Sequence, residues 1–355
     1  MQYKTELIPY TLYFKRPAKT SRGQYTEHKA WYIKVYDVLN LDRWGIGECA
    51  PLPDLSYDFD DSYEQNLSYF CRYLEKNGTL DIEALRNYPS ILFGLETALR
   101  HLKNKSESFQ LYDTPFSNGK KGIPINGLIW MGDFDYMFEQ IETKIKQGFR
   151  CIKLKIGAIN FEEELSLLKY IRKHFTAKDI TLRVDANGAF SPNEALEKLK
   201  RLSDLDLHSI EQPIHAGQWE EMSRLCEITP LPIALDEELI GINNVDRKTH
   251  LLDAIKPQYI ILKPTLHGGI SGATQWIQLT EKRNIDWWIT SALESNIGLN
   301  AIAQWCSRFD NPLPQGLGTG GLYTNNLQIP LSIKGDQLRF NPHGKFFSMK
   351  ELQTT

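Results

Sequence analysis

Cysteine is scarce and scattered in this sequence. Five cysteines occur among 355 residues, and no two of them form a Cys-x-x-Cys pair. An odd, dispersed set argues against a disulfide framework, and the missing pairs argue against a zinc ribbon. We therefore expect free, buried thiols in a reducing compartment at Cys49, Cys71, Cys151, Cys226 and Cys306.

The sequence also lacks a surplus of basic charge. The 41 lysines and arginines are balanced by 44 aspartates and glutamates, which gives a formal net charge of −3. Sequence-independent binding to nucleic acid needs clustered positive charge that neutralises phosphates. We therefore expect no nucleic-acid partner.

Long apolar runs are absent too. The apolar tracts are short, such as Tyr259–Leu262, whereas a membrane-spanning helix needs about 20 apolar residues. The stretch Met1–Arg16 alternates apolar and polar side chains and includes Lys4 and Glu6, which interrupt the apolar segment that a signal peptide requires. We expect this stretch to be a β-strand, and the protein to be cytoplasmic without membrane association.

What the sequence does contain is a repeat of about 27 residues. Short apolar stretches, each followed by a polar stretch with helical periodicity, recur at intervals of 24 to 30 residues. That interval is the length of one strand–helix unit, and alternating strands and helices favour a parallel sheet with right-handed crossovers. The repeat predicts an α/β fold built on a TIM-like (β/α)7β barrel. The predicted strands begin near Ile123, Cys151, Thr181, His208, Pro232, Tyr259, Asp286 and Leu313.

The residues ahead of this repeat follow a different pattern. Apolar and polar side chains alternate in Leu7–Phe14, Lys29–Val38 and Trp44–Cys49. Two stretches with helical periodicity follow, Ser62–Lys76 and Pro89–Leu102. Strands followed by helices predict an α+β domain.

These patterns divide the chain into three parts. We predict an N-terminal α+β domain over residues 1–120 and a barrel domain over residues 121–330. A C-terminal segment, residues 331–355, contains one more strand-like piece, Gln337–Phe340. We expect that segment to pack back on the N-terminal domain and complete it.

Carboxylates stand where the predicted barrel strands end. Side chains at the carboxyl ends of barrel strands point into the mouth that holds the active site. Asp185, Glu211 and Asp236 end three consecutive strands at spacings of 26 and 25 residues. Three carboxylates at one depth repel each other, and a divalent cation with oxygen ligands, Mg²⁺ by preference or Mn²⁺, relieves the repulsion. Solvated acids at helix N-termini are the alternative interpretation.

Three lysines belong to the same predicted mouth. Lys153 and Lys155 lie two residues apart on the second strand, so both side chains face the barrel interior. A neighbouring ammonium and a nearby cation would lower the pKa of such a lysine and make it a general base. Lys263, on the sixth strand, would face the same ligand from the opposite wall. Lysines that extend to solvent at the rim are the alternative.

Five short motifs in the barrel region resemble those of a known family. The motifs are Lys153–Lys155, Asp185–Gly188, Glu211–Pro213, Asp236–Glu237 and Lys263–Pro264. In this order they resemble the muconate-lactonising branch of the enolase superfamily, and the resemblance extends over essentially the whole chain. It implies a magnesium-dependent enzyme whose metal ligands are Asp185, Glu211 and Asp236.

Finer motifs narrow the resemblance within that branch. The segments similar to those of o-succinylbenzoate synthases are Ile125–Ile129, Leu262–Leu266, Ser291–Ser295 and Gly316–Gly320. The resemblance implies a hydro-lyase of menaquinone biosynthesis, which dehydrates 2-succinyl-6-hydroxy-2,4-cyclohexadiene-1-carboxylate to 2-succinylbenzoate. It also implies that Lys155 removes the proton and assists the departure of hydroxide, while Lys263 stabilises the enediolate.

Three other functions stay open at this point. N-succinylamino-acid racemases share nearly all of these motifs. Dipeptide epimerases typically carry an Asp-x-Asp on the eighth strand, and the segment Gly316–Leu322 contains no acid. A barrel that only binds a ligand is the non-enzymatic alternative, although every charged position of the constellation is present.

Further residues have expected supporting roles. We expect Ser291 to lie near the succinyl group, and Gly318 and Gly320 to offer backbone N–H groups to a substrate carboxylate. By resemblance, the loops Arg16–Glu27 and Pro51–Asp61 close over the substrate. The residues expected to surround the ligands and hold them in place are Arg183, Asn187 and Glu237.

Overall fold

A computed structural model of the chain describes residues 2–20, 23–104, 109–130, 132–157, 160–348 and 352. Its α/β architecture combines one seven-stranded parallel sheet with two three-stranded antiparallel sheets. Helices alternate with the strands of the parallel sheet, as the 27-residue repeat predicts.

The N-terminal part forms an antiparallel sheet covered by helices. Three strands pair in chain order: β1 (Tyr3–Thr20), β2 (Gly23–Asp37) and β3 (Asn40–Cys49). Three helices follow them: α1 (Tyr63–Asn77), α2 (Ile82–Leu85) and α3 (Pro89–Asn104). These six elements and the loops that connect them are called the N-terminal unit below. The three strands and two long helices that the sequence predicts here are confirmed.

Helix α3 packs very closely on β3 because glycines line the contact. A Cβ atom on Gly47 would lie 1.9 Å from the carbonyl oxygen of Gly94. A Cβ atom on Gly45 would lie 2.1 Å from the carbonyl oxygen of Ala98. Any larger residue would therefore push the helix away from the sheet.

Gly47→Ala is expected to lower the free energy of unfolding by about 3 to 5 kcal/mol, since the new methyl group would overlap a backbone carbonyl. Gly321→Ala is the control, because a Cβ there meets nothing within 4 Å, and it should cost less than about 1 kcal/mol. Urea unfolding followed by circular dichroism measures both variants. Equal losses would contradict this account of the packing.

The parallel sheet keeps its strands in sequence order from one edge to the other. Six of the predicted strand starts, from Cys151 to Asp286, fall within one residue of the observed ones. The strands are β5 (Gly127–Ile129), β6 (Cys151–Lys155), β7 (Thr181–Asp185), β8 (Ser209–Glu211), β9 (Ile233–Leu235), β10 (Tyr259–Leu262) and β11 (Asp286–Ile289).

One helix follows each of these strands. The seven helices are α4 (Phe134–Lys146), α5 (Phe161–His174), α6 (Pro192–Ser203), α7 (Trp219–Ile228), α8 (Val245–Ile255), α9 (Gly269–Glu281) and α10 (Asn296–Cys306). Helix α5 has three glutamates in its first turn and basic residues in its last turn, which suits the helix dipole. Helix α6 begins with a capping box of Ser191 and Glu194, and Pro192 is its first residue.

The tail adds a second antiparallel sheet. Its strands β12 (Leu331–Lys334) and β13 (Gln337–Phe340) form a hairpin, and β13 pairs with β4 (Ile123–Pro124). Ile123 therefore does not open the parallel sheet as predicted, because its backbone already pairs with the tail. The predicted strand at Gln337–Phe340 is confirmed.

The eighth predicted strand, near Leu313, is reduced to isolated bridges. Two flanking prolines have no N–H group to donate to a sheet. Single parallel bridges join Gln315 to Ile125, ahead of β5, and Gly316 to Thr290, after β11. The segment around Gln315 therefore lies between the two edges of the parallel sheet.

Buried thiols confirm a simpler expectation. All five cysteines are free and buried. Desolvation raises the pKa of the Cys306 thiol to about 12, which keeps it protonated and unreactive. None of the helices in the described part of the chain has the length and apolarity of a membrane-crossing segment.

Candidate active site

Three carboxylates lie side by side at the carboxyl edge of the parallel sheet. Asp185 ends β7 and pairs in register with Glu211, which ends β8. Asp236 directly follows β9. All three side chains are buried. The fold thus brings together three residues that are 26 and 25 positions apart in the sequence.

Three lysines interleave with these carboxylates. Lys153 Nζ lies 2.9 Å from Asp185 Oδ2 and 2.6 Å from Glu211 Oε2. Lys155 Nζ lies 3.3 Å from the same oxygen of Asp185. Lys263, directly after β10, forms an ion pair with Asp236. Because β6 and β10 are four strands apart in the sheet, lysines face the carboxylates from two sides.

The carboxylates control the protonation of the buried lysines. Burial opposes a charge on Lys153, yet Asp185, Glu211 and Asp236 together raise the pKa of its ammonium. Burial also opposes a charge on Lys263, and Asp236 again outweighs it and raises the pKa. The carboxylates that face Lys153 thus outweigh both burial and the neighbouring lysines, and the pKa lowering expected beside a bound cation stays a prediction.

The carboxylates themselves divide into two kinds. Burial and the neighbouring Asp185 raise the pKa of Glu211 well above its ordinary value. Burial also opposes ionisation of Asp185 and Asp236. Lys153 beside Asp185 and Lys263 beside Asp236 nevertheless hold the pKa of each below its ordinary value. Glu211 is therefore the hardest of the three carboxylates to ionise in this cluster.

Asn187 connects Lys155 to a fourth acidic side chain, that of Glu237. Its Oδ1 accepts a 2.7 Å hydrogen bond from Lys155 Nζ, and its Nδ2 donates one of 2.9 Å to Glu237 Oε1. Its backbone N–H donates to Asp185 Oδ1 at 3.0 Å. Asn187 and Glu237 therefore border the cluster, and Asn187 orients the amine of Lys155.

Arg183 contacts other groups than the expected ones. Its Nη1 donates to the carbonyl oxygen of Pro314 at 2.8 Å, and its guanidinium lies 3.9 Å from the ring centre of Trp288. Across the described ranges it forms no ion pair with Asp185, Glu211 or Asp236. Its guanidinium is engaged by Pro314 and Trp288 instead, whereas Lys153, which pairs in register with Arg183, reaches the carboxylates.

The cluster borders a cavity of about 600 Å³, which suits a small organic molecule. Lys153, Lys155, Asp185 and Lys263 all face this cavity. Apolar side chains line it as well, so a ligand with charged and apolar parts fits its chemistry. The apolar residues include Leu52, Leu55, Leu128, Trp130, Ala292 and Leu293.

Two of the three predicted substrate contacts line the cavity. Ser291 and Gly318 do so, and Ser291 Oγ shares a 2.6 Å hydrogen bond with Thr319 Oγ1. Gly320 is not part of the lining, although its neighbours Thr319 and Gly321 are, and its contact with a substrate carboxylate stays a prediction. A Cβ on Gly320 would lie 3.0 Å from Asn296 Oδ1, because the chain here faces helix α10.

The two loops expected to close over the substrate differ in position. Pro51–Asp61 contributes Leu52 and Leu55 to the cavity wall. Arg16–Glu27 forms the connected ends of β1 and β2, and none of its described residues lines the cavity. Residues 21 and 22 of that loop lie outside the described residues.

Two further residues support the site, although neither was assigned a role from the sequence. Gln212 Oε1 accepts from the backbone N–H of Asp236 at 3.2 Å, and its position beside Glu211 is the signal that could have found it. Leu293 lines the cavity with a φ of 67°, which is rare for a branched residue. Its carbonyl oxygen accepts from Tyr323 Oη at 2.5 Å, which helps to hold this conformation.

The donor set suits a hard divalent cation. All three carboxylates offer oxygen, and Asp236 Oδ1 is buried with no hydrogen-bond partner among the described residues. In the conformation of the structure, the described part of the chain contains no group of three or more His, Cys, Asp or Glu side chains arranged to hold a metal ion. Lys153 and Lys263 lie against the carboxylate oxygens instead. The magnesium site stays a prediction.

Comparison with known proteins decides the family. The enolase C-terminal domain-like family matches residues 136–336. The o-succinylbenzoate synthase of Desulfotalea psychrophila is 45% identical over 359 residues, which cover 92% of this chain and 96% of that protein. The chain belongs to the o-succinylbenzoate synthase family of the enolase superfamily. This membership confirms the resemblance that the motifs predict, and it makes the chain a homologue of a lyase.

Solved structures of related proteins align with this chain over almost its whole length. The crystal structure of MenC from Desulfotalea psychrophila has a TM-score of 0.81 and 41% identity, and the alignment covers 96% of this chain and all of that one. The L-Ala-D/L-Glu epimerase of Bacillus subtilis has the same TM-score at 20% identity, with 98% of both chains covered. The epimerase therefore shares the fold, whereas the synthase shares the sequence too.

Proposed function

We propose that this chain is a hydro-lyase that dehydrates 2-succinyl-6-hydroxy-2,4-cyclohexadiene-1-carboxylate to 2-succinylbenzoate, in menaquinone biosynthesis. The observation that carries the proposal is the placement of Lys155 and Lys263 on two sides of a carboxylate cluster, with both lysines and Asp185 lining one cavity. The 45% identity to an o-succinylbenzoate synthase supports it. A cytoplasmic location stays a prediction.

Asp185, Glu211 and Asp236 would hold the divalent cation of this reaction, with Mg²⁺ preferred. The cation, when bound, neutralises negative charge on the substrate carboxylate as the α-proton leaves. The unpartnered oxygen of Asp236 and the raised pKa of Glu211 support this assignment. The first leaves a buried oxygen free to bind a cation, and the second shows a carboxyl group that a nearby cation would help to ionise.

Lys155 is the base in this proposal. As a neutral amine it takes the α-proton, so a C–H bond breaks, an N–H bond forms and the electron pair enters the enediolate. The resulting ammonium then gives the proton to the departing hydroxyl group. The C–O bond breaks, the electron pair of the enediolate forms the new ring double bond, and water and the aromatic product result. Asn187 holds the Lys155 amine in place through its 2.7 Å hydrogen bond. The ammonium of Lys263 stabilises the enediolate from the other side.

We also propose the finer architecture that the sequence predicts. The hydrogen bonds of Gly316 with Ile289 and of Gln315 with Pro124 support closure of the parallel sheet into a (β/α)7β barrel. The division at residues 120 and 330 is proposed with it, as an N-terminal capping domain, a catalytic barrel and a C-terminal segment. Phe346 and Phe347 contact Phe109. Phe109 in turn packs against Trp44 of β3 and His101 of α3, which supports the return of that segment toward the N-terminal unit.

A substrate panel tests the function. The enzyme is given the cyclohexadiene carboxylate, both enantiomers of an N-succinylamino acid, and a dipeptide, each with Mg²⁺. Rapid formation of 2-succinylbenzoate, with little or no turnover of the others, is the expected result. Racemisation of the amino acid without dehydration would assign the chain to the racemases instead. Turnover of none of them would favour a barrel that only binds.

Leu52→Ala is expected to raise KM about tenfold and to change kcat less than threefold, because Leu52 contributes apolar contact rather than chemistry. Steady-state kinetics with the cyclohexadiene substrate measure both constants. The control is Leu41→Ala, also in the N-terminal unit, whose side chain is 58% exposed. A fall in kcat at unchanged KM would contradict the role given to this loop.

A further inference from the structure

Two acidic side chains of the N-terminal unit accept hydrogen bonds from α9 and α10, two of the helices that alternate with the strands of the parallel sheet. Glu48, the penultimate residue of β3, accepts 2.7 Å hydrogen bonds from the backbone N–H groups of Ser295 and Gly298. It also accepts one of 2.6 Å from Ser295 Oγ. Ser295 is the N-cap of α10 and Gly298 lies in its first turn, so Glu48 satisfies N–H groups that have no partner within the helix.

Glu96 does the same for the preceding helix. This residue of α3 accepts a 2.6 Å hydrogen bond from the N–H of Ile270 and a longer one, of 3.3 Å, from that of Ser271. Both N–H groups belong to the first turn of α9. A Cβ on Gly269 would lie 2.5 Å from Glu96 Oε2, and the φ of Gly269 is +69°. Only glycine lets the carboxylate approach this closely.

The two helices begin directly behind the substrate-facing segments. Helix α9 follows the turn that starts at Lys263, and α10 follows the segment from Ser291 to Leu293, which lines the cavity. A negative charge at a helix N-terminus interacts favourably with the helix dipole. On the other side of the contact, Glu48 stands four residues ahead of Leu52, which lines the same cavity.

Stability alone does not explain these charges. Burial raises the pKa of Glu48 to about 7, although Ser295 and Gly298 donate hydrogen bonds to it and thereby oppose the rise. Burial likewise raises the pKa of Glu96 to about 7 against the hydrogen bonds from Ser271 and Ile270. A carboxyl group whose pKa rises on folding makes the folded state progressively less stable as the pH rises from the ordinary pKa of 4.5 to the raised value of about 7. A neutral side chain of the same shape would avoid this penalty.

We propose that Glu48 and Glu96 are positioning residues that dock the N-terminal unit onto α9 and α10 and thereby hold Leu52 and Leu55 over the bound substrate. The proposal rests on the proposed function for its kinetic consequences, because those need a substrate. It is independent of that function for its structural consequences.

Kinetics of Glu48→Gln and Glu96→Gln test the proposal. We expect each variant to raise KM for the cyclohexadiene substrate about five- to tenfold and to change kcat less than threefold. We expect the melting temperature at pH 8 to change by less than about 3 °C, because the loss of hydrogen bonds to the helix is offset by the removal of a buried charge. Glu75→Gln is the matched control, because Glu75 accepts a backbone N–H bond from Thr5 inside the N-terminal unit. Its KM should equal that of the parent enzyme.

Hydrogen–deuterium exchange of the substrate-free enzyme tests the contacts themselves. We expect Glu96→Gln to speed exchange at Ile270 and Ser271 about tenfold, and Glu48→Gln to do so at Ser295 and Gly298. If one variant does not fold, the other decides, since each affects its own helix. If the parent enzyme does not dehydrate the substrate, the proposed function fails, yet the exchange experiment still decides the docking.

Three outcomes overturn the proposal. One is unchanged exchange at the four amides in the variants. The second is an unchanged KM in an enzyme that turns over the substrate. The third is a loss of stability with equal increases in KM for Glu75→Gln and the two docking variants, which would reduce Glu48 and Glu96 to general structural residues.

Discussion

Asp236→Asn is expected to abolish turnover and the stabilisation of the enzyme by Mg²⁺ together. A ligand that binds only the folded state stabilises it by about 2.7 kcal/mol at a hundredfold excess over Kd. The parent enzyme should therefore melt at a higher temperature as Mg²⁺ is added. The variant should not respond, because one of three oxygen ligands becomes a weaker amide donor and the cluster loses a negative charge. Thermal unfolding across a magnesium titration measures the response.

Asp58→Asn is the control for this experiment. Asp58 is also buried, but it lies in the N-terminal unit and accepts hydrogen bonds from Ser90. The control should lose some stability and keep the full response to Mg²⁺. The same comparison applies to Asp185→Asn and Glu211→Gln. A normal magnesium response in any two of the three site variants would contradict the metal assignment.

Lys155→Ala is expected to lower kcat about 10⁴-fold, because the base that starts the reaction is also the acid that completes it. Lys155→Arg distinguishes a base from a positive charge, since arginine keeps the charge and does not give up its proton. We expect Lys155→Arg to be as inactive as Lys155→Ala. Lys263→Arg should instead recover part of the activity that Lys263→Ala loses. Assays of 2-succinylbenzoate formation under substrate saturation measure all four variants.

The reverse pattern would contradict these roles. Activity in Lys155→Arg would show that Lys155 supplies only charge. Lys263→Arg could instead be completely inactive and also fail to exchange the substrate proton with solvent. That result would show that Lys263 is the base. Retained thermal stability in every variant is needed for either conclusion, because Lys155 and Lys263 both pair with buried carboxylates.

Periodic features of this fold could be predicted from the sequence. The repeat of about 27 residues places Asp185, Glu211 and Asp236 at one edge of a parallel sheet, because each strand–helix unit returns the chain to the same edge. Lys153 and Lys155 could be placed on one face of β6 because side chains alternate between the two faces of a strand. These are properties of local geometry, which short segments of sequence carry.

Features that depend on several chain segments could not be predicted. The pKa of Lys153 is set by three carboxylates from other strands, and Gly320 faces helix α10 instead of the cavity. Ile123 pairs with a tail strand more than 200 residues later in the chain. The docking of Glu48 on α10 joins residues 247 positions apart. No local pattern contains such partners.

Exchange of the substrate α-proton with solvent tests the central claim most directly. Proton NMR in D₂O follows exchange in Lys155→Ala and Lys263→Ala, with the cyclohexadiene substrate or an analogue that cannot eliminate water. If Lys155 is the base, Lys155→Ala shows no exchange, whereas Lys263→Ala still exchanges the proton slowly although it forms no product. Residual exchange in Lys155→Ala would show that another group is the base. Face-selective exchange of N-succinylamino acid enantiomers, with negligible dehydration by the parent enzyme, would contradict the dehydratase assignment as a whole.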